Sequence, residues 1–110
     1  MDVALELLRE AGSELERAIA LAEDPGSPDD LVRAAATRTA RLALRGVLRD
    51  RGINAVDGAD PAALQALLQE AALRPPQGVA ELVAGSLGRT EAMTAAMAAV
   101  AWAANSLRVT

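Results

Sequence analysis

The stretch from Ser27 to Gly52, SPDDLVRAAATRTARLALRGVLRDRG, constrains the fold more than any other part of the sequence. Ser27 has the side chain of a good N-cap, Pro28 suits the first helical position, and the acids that follow favour the positive end of the helix dipole. Gly52 suits the C′ position just beyond a helix end. These signals predict one long helix over residues 28–51.

This predicted helix is apolar over more than half of its circumference. The residues on that surface are Val32, Ala35, Ala36, Thr39, Leu42, Ala43, Gly46 and Val47, with Leu44 and Leu48 beside them. A helix of this kind is buried by several neighbours at once, so we expect it to be the central helix. The chain is rich in alanine and leucine, and Trp102 is its one aromatic residue. Because alanine and leucine favour helices and strand-forming residues are scarce, the composition predicts an all-α fold.

Turn and cap residues divide the rest of the chain into four more helices. We predict a first helix at 2–22, a third from Pro61 (capped by Asp60) to Arg74, a short one at 78–87, and a last one at 91–107 capped by Thr90. Residues 1–110 then form a single domain. The predicted architecture is an all-α bundle of four main helices plus one short helix.

Helical periodicity predicts the inward face of each of these helices. In the first helix, Gly12 would let a neighbouring helix approach closely, and Gly88 would end the short helix at its C′ position. The predicted inward residues are Leu5, Leu8, Gly12, Leu15, Ile19 and Ala22 in the first helix; Leu64, Leu67, Leu68, Ala71 and Ala72 in the third; Val79, Leu82, Val83 and Leu87 in the short helix; and Met93, Met97, Val100, Ala104 and Leu107 in the last.

The residue types that the chain lacks argue against most catalytic chemistry. The sequence has no cysteine, no histidine and no lysine. Thiolate and imidazole ligands, cysteine nucleophiles and the imidazole general base are therefore excluded. Carboxylates alone can still do acid–base work, but no pattern here points to it. We expect no catalytic residue, no metal site and no cofactor.

Charge is unevenly distributed along the chain, whose net charge is −4. Residues 1–30 carry nine acids and two arginines, whereas residues 31–52 carry six arginines and one acid. The overall negative charge does not favour nucleic acid as a partner. The amino terminus lacks the basic region of a signal peptide, and the longest apolar run, Ala95 to Ala104, is too short to span a bilayer. We therefore expect a cytoplasmic protein with no membrane association.

Four arginines at helical spacing form the sharpest charged feature, a stripe made of Arg38, Arg41, Arg45 and Arg49. Guanidinium groups match phosphates and carboxylates bidentately, so the stripe is a candidate ligand-binding or anion-binding site. The alternative is that the stripe faces the first helix and forms ion pairs with Glu6, Glu10 and Glu14. The opposite charges of the two segments favour that alternative.

Trp102 and the small residues Ala95, Ala98 and Ala99 form a second candidate site. Tryptophan is enriched at interface hot spots, and small residues let two helices come close. The predicted core side of this helix lies elsewhere, so the interpretation is an interface, with a symmetric homodimer as the ordinary form. The alternative is a core tryptophan packed under the short helix.

The segment from Ala36 to Leu68, with ARLALRGVLRDRGI followed by ALQALL, resembles the centre of HEPN domains. HEPN domains are helical and occur in prokaryotic toxin systems and beside nucleotidyltransferases. Ribonucleases of this family carry an Arg and a His with four to six residues between them. Arg89 matches that Arg, but Thr94, Ala95 and Ala96 stand where the His would fall. The resemblance therefore implies a non-catalytic member, working as a binding or dimerisation module, with a nucleotidyltransferase as a protein partner.

Together these patterns predict a non-catalytic, HEPN-like helical module for protein–protein interaction, homodimerisation or small-ligand binding. One alternative is a toxin–antitoxin component that binds RNA or nucleotide through the arginine stripe. Another is an accessory subunit of a larger enzyme, with carboxylates contributing to a shared site.

Overall fold

Five helices make up most of the computed structural model, which describes residues 2–56, 58 and 60–107. The helices are α1 (Val3–Glu23), α2 (Asp29–Asp50), α3 (Pro61–Glu70), α4 (Val79–Ala84) and α5 (Arg89–Ser106). The described residues contain no strand. The predicted all-α bundle of four main helices and one short helix is confirmed.

Helix α2 is the centre of the bundle, as its apolar circumference predicted. It contacts α1, α4 and α5, and half of its 22 residues are buried. A short turn joins α1 to α2, and Gly46 near the end of α2 faces Ala4 near the start of α1, so these helices are antiparallel. Helix α5 runs parallel to α2, because Arg51 at the end of α2 donates to the Ser106 carbonyl at the end of α5.

Helices α1, α2 and α5 pack through small side chains, and we call this part of the bundle the alanine layer. Its fully buried alanines, each at most 3% exposed, are Ala4, Ala11 and Ala18 of α1, Ala36, Ala40 and Ala43 of α2, and Ala92, Ala96, Ala99 and Ala103 of α5. Small residues at a helix contact let the backbones approach. The approach is close at Gly46, where an added Cβ would lie 3.2 Å from the Ala4 carbonyl oxygen.

Helices α3 and α4 cover another side of α2 through larger side chains, and we call this part the leucine layer. Leu64 and Leu68 of α3 meet Val79 and Val83 of α4 and Leu44 of α2 around a small crevice. All five side chains are buried. The layer brings the segment after α3, including Pro75, against the same crevice.

The inward faces predicted for α1 and α5 are right only in part. The predicted residues that lie in the core or pack against it are Leu8, Leu15, Ile19, Ala22, Met93 and Val100. In α1 the buried residues are Ala4, Ala11 and Ala18, whereas Leu5 is 41% exposed. In α5 the buried residues are Met93 and five alanines, whereas Met97 is 45% exposed. Large apolar residues dominate a periodicity count, but the close approach of three helices selects small ones for the contact. Gly12 makes no close contact, since an added Cβ would meet nothing within 4 Å.

Several helix starts also differ from prediction. Pro28, not Ser27, occupies the N-cap position of α2, and no side chain caps that end. Helix α5 begins at Arg89 with Gly88 at its N-cap, so Thr90 is not the cap and Gly88 does not end the short helix. Asp60 does cap α3, because its carboxylate accepts a hydrogen bond from the Ala63 backbone N–H at 2.8 Å.

Three helices end in the same hydrogen-bond arrangement. After α2, Ile53 N–H donates to Leu48 O and Gly52 N–H donates to Arg49 O, both at 2.9 Å, which is a Schellman motif with Gly52 at C′ as predicted. Gly85 has the same position after α4. Helix α3 ends at Glu70, earlier than predicted, and its left-handed residue is Ala72, with φ of 58°.

Candidate functional site

An open groove runs along the seam between α1 and α2, on the edge of α2 that α1, α4 and α5 leave uncovered. Its volume is about 490 Å³. The residues that line it are Glu10 of α1, Ala34, Thr37, Arg38, Arg41, Leu42 and Arg45 of α2, and Gly58 of the loop that follows. The α2 residues recur at spacings of three and four, so they share one edge of the helix.

The groove continues across the seam onto α1. A second depression, of about 400 Å³, shares Glu10, Arg38 and Leu42 with the first and adds Arg9, Ser13 and Glu14. We refer to the two together as the arginine groove. Its described lining holds four arginines and two glutamates, a formal excess of two positive charges in a chain whose net charge is −4.

Arg38 lies at the middle of the arginine groove and belongs to both depressions. Its side chain is 62% exposed, and its Nε lies 3.8 Å from Glu14 Oε2, at the outer limit of an ion pair. Glu14 is also 3.5 Å from Arg17 on its own helix. An exposed pair of this kind contributes on the order of 0–1 kcal/mol to stability. The Arg38 side chain therefore stays largely exposed to solvent, where a partner can reach it.

Arg45 joins the far end of the groove to the loop after α2. Its Nε donates to the Ala55 carbonyl oxygen at 3.2 Å. Arg41 and Arg45 each take part in further interactions within the chain. The hydrogen bond to Ala55 restrains Arg45, and both side chains line the groove.

The four arginines of the predicted stripe do not act alike. Arg38, Arg41 and Arg45 line the groove, but Arg49 lies outside it, exposed in the last turn of α2. On α1, Glu10 and Glu14 line the groove and Glu6 does not. The sequence interpretation missed Arg9, because which edge of α1 faces α2 depends on the alanine contact and not on the leucines. It also left out Thr37 of α2, because it followed the charged residues of that helix.

Thr37 links the groove wall to the leucine layer. Its Oγ1 donates to the Leu82 carbonyl of α4 at 3.3 Å. The helix carrying Arg38 is therefore held on one side by α1 and on the other by α4. Such support on both sides favours a groove that is formed before a ligand arrives.

Arg89, at the start of α5, has a different function from any arginine in the groove. Its Nη1 donates to Ser27 O at 2.9 Å and to Asp29 Oδ1 at 3.0 Å. Its Nη2 lies within hydrogen-bond distance of three more carbonyl oxygens, those of Leu21, Ala22 and Asp24, at 3.4, 2.8 and 3.2 Å. The guanidinium thus fastens α5 to the end of α1 and to the turn before α2.

This arrangement bears on the position that the HEPN resemblance assigns to Arg89. Both Nη atoms already bind acceptors of the chain, and the side chain in its Asp29 ion pair is 24% exposed. A guanidinium with these hydrogen bonds stabilises the packing of the helices. No local signal in the sequence marks it, because four of its five acceptors are backbone carbonyls.

The predicted interface around Trp102 is divided by the fold. Ala95 is 4% exposed and Ala99 is 0% exposed, so both belong to the core of the chain itself. Trp102 is half-buried and packs against that core, and Ala98 is half-buried beside it. The four residues therefore do not form a common surface for a partner.

Neither a metal-binding cluster nor a membrane span is found in the described part of the chain. No group of three or more acidic side chains there is placed to hold a metal ion. No helix there has the length and apolarity to cross a membrane.

The described fold defines the class of this protein as an all-α helical bundle, and its most distinctive surface is a charged groove. No protein-family model, curated protein or solved structure matches the chain.

Proposed function

We propose that this protein is a non-catalytic binding module that holds an acidic partner in the arginine groove. The observation that carries the proposal is the excess of positive charge in the groove, with Arg38 62% exposed at its centre, in a chain of net charge −4. An exposed guanidinium binds carboxylate or phosphate oxygens through two parallel hydrogen bonds.

The mixed lining of the groove favours a protein partner over nucleic acid. Glu10 and Glu14 stand beside the arginines and would repel a continuous row of phosphates. The negative net charge of the chain adds long-range repulsion. Binding of RNA or nucleotide at the groove, with the toxin–antitoxin function that it would imply, is the competing outcome of the test below.

Two other interpretations stay predictions. The resemblance to HEPN domains is untested by any comparison. The homodimer has lost part of its support, because Ala95 and Ala99 lie in the core. Light scattering across a dilution series distinguishes a dimer from a monomer directly.

The experiment is a binding titration with fluorescent poly-L-glutamate at low ionic strength, followed by anisotropy. Arg9→Glu with Arg38→Glu reverses one exposed charge on each wall of the groove. Arg33→Glu with Arg74→Glu makes the same change in net charge away from it. Exposed charge pairs are worth up to about 1 kcal/mol each, so the groove variant should lose about tenfold or more in affinity. The control variant should lose about twofold or less, since distant charges are screened.

Two results would contradict the proposed function. One is that the wild-type protein fails to bind polyglutamate at low salt. The other is that both double variants lose the same affinity, because the binding would then follow net charge and not the groove. A single-stranded RNA homopolymer is titrated in parallel, and tighter binding of RNA at the groove would support the competing function.

A further inference from the structure

We infer that the partner of the arginine groove is an acidic, amphipathic α-helix of another protein, lying along the seam between α1 and α2. This inference rests on the proposed function and makes its ligand specific. Three properties of the groove support it: the position of the seam, the spacing of the arginines, and the apolar surface between the charges.

The seam between α1 and α2 lies where a bundle would accept one more helix. Two packed helices present two seams, and α5 contacts both α1 and α2 along one of them. No residue of α5 lines the arginine groove, which is therefore the other seam. The α2 wall from Ala34 to Arg45 spans about 16 Å at 1.5 Å per residue, or three helical turns. A helix packed into such a seam is a recurring mode of peptide recognition.

The spacing of the arginines matches the spacing of side chains on a partner helix. Arg38, Arg41 and Arg45 are separated by three and four residues, so they follow one line along α2. Carboxylates at i, i+3 and i+7 of a partner helix follow a line with the same rise. Arg38, which is 62% exposed, can then meet one of these carboxylates directly. Arg41 and Arg45, which also take part in interactions within the chain, add positive charge along the same line. Glu10 and Glu14 on the opposite wall favour a neutral or basic residue on the adjacent face of that helix.

An apolar strip between the charged walls gives the partner's apolar face a place to pack. Leu42 is part of both depressions and Ala34 lines the first. Leu42 is only 6% exposed and Ala34 is exposed, so the strip is shallow. A shallow strip suits one or two apolar side chains of a helix. It does not enclose a small molecule, whose sites bury most of the ligand surface.

A second copy of this chain does not present the required helix. Its acids at helical spacing are Glu6, Glu10 and Glu14, and two of the three already line its own groove. Glu14 also pairs with Arg17 and Arg38. We therefore assign the groove to a helix of a different protein.

The test compares two synthetic peptides of identical composition. One carries glutamates at i, i+3, i+7 and i+10 with leucines along the neighbouring face, and the other has the same residues in scrambled order. We expect the patterned peptide to bind the full chain about tenfold tighter than the scrambled one. Its helical circular dichroism should also rise on binding, since a short peptide is only marginally helical alone. Arg9→Glu with Arg38→Glu should remove this preference, and Arg33→Glu with Arg74→Glu should preserve it.

The outcomes separate this inference from the function beneath it. If polyglutamate binds at the groove but the two peptides bind equally, the partner is not a helix, and the anion-binding function remains supported. If an RNA homopolymer displaces the patterned peptide and binds more tightly, the partner is nucleic acid. If the wild-type chain self-associates and Arg9→Glu with Arg38→Glu makes it monomeric, the occupant is a second copy. Each of these three results overturns the inference.

Discussion

The alanine layer and the leucine layer both pack against α2, the first with small side chains and the second with large ones. In the alanine layer, α1, α2 and α5 bring their backbones together, so that an added Cβ at Gly46 would lie 3.2 Å from a carbonyl oxygen of α1. In the leucine layer, α3 and α4 fill the space above α2 with branched side chains such as Leu64, which is 1% exposed. Stability in the first should be sensitive to added volume, and stability in the second to removed volume.

The largest effect is expected from adding volume to the alanine layer. Gly46→Leu places a side chain where the Ala4 carbonyl and the Leu7 side chain already lie. Overpacking of this kind against backbone should cost more than about 3 kcal/mol of the free energy of unfolding, above the usual range for added methylenes. Urea denaturation followed by helical circular dichroism measures it.

Gly12→Leu is the matched control for Gly46→Leu, since both glycines lie inside helices. Nothing lies within 4 Å of a Cβ at Gly12, so leucine there should stabilise the protein by about 0.5–1 kcal/mol through helix propensity. Equal effects at the two positions would show that α1 and α2 are not as close as the alanine layer requires.

The opposite substitution tests the leucine layer. Leu64→Ala removes a buried side chain and should cost about 3 kcal/mol, within the range measured for core leucines. Leu31, 53% exposed near the start of α2, is the control of the same type, and Leu31→Ala should change stability by less than about 0.5 kcal/mol. If Leu64→Ala were as mild as its control, α3 would not be part of a packed core.

The sequence was a good guide to where helices form and to the faces that α2, α3 and α4 bury, but it missed the alanines that α1 and α5 bury. Alanines lie on every side of α5, so they did not indicate which face is buried. The prediction therefore followed the larger side chains Met93 and Met97. The structure buries Met93 together with five alanines and leaves Met97 exposed, so alanines supply most of the contact. Gly52 was recognisable because its left-handed conformation, with φ of 81°, follows from local chemistry alone.

The candidate site was predictable only in its central residues. Arg38, Arg41 and Arg45 share one helix, and spacing within a helix can be read directly from sequence. Arg9 joins them from α1 and Gly58 from a loop, and both placements depend on how separate elements pack. Arg89 was missed as a structural residue for a related reason. Its acceptors lie at the end of α1, in the turn and at the start of α2, at least sixty residues away along the chain, and most of them are backbone atoms.

A loss of stability of intermediate size is expected when the hydrogen bonds of Arg89, which join the helices at one end of the alanine layer, are removed. Arg89→Met keeps the length of the side chain but removes the donors to Ser27 O, Ala22 O and Asp29. Hydrogen bonds from a charged donor are worth about 1.5–3 kcal/mol, and water can replace part of them at this half-buried site, so we expect a loss of about 2 kcal/mol.

The control for Arg89→Met is Arg74→Met, which removes an exposed arginine from the segment after α3. Its effect should stay within about 0.5 kcal/mol. A loss at Arg89 no greater than at Arg74 would mean that water serves those carbonyls as well as the guanidinium does. The alanine layer would then be held by its helix contacts alone.

The smallest effect, and one of opposite sign, is expected at the end of α3 in the leucine layer. Ala72 has φ of 58°, where an alanine pays a steric cost of roughly 1–2 kcal/mol that glycine does not. Ala72→Gly should stabilise the protein by about 0.5–1 kcal/mol, since the greater freedom of glycine in the unfolded chain cancels part of the gain. Ala71→Gly, one residue earlier at φ of −82°, should instead destabilise it by about 0.5–1 kcal/mol. Urea denaturation of both variants measures the difference in sign. If both substitutions destabilise, the α3 terminus does not hold Ala72 in the left-handed region, and the leucine layer ends in a looser turn.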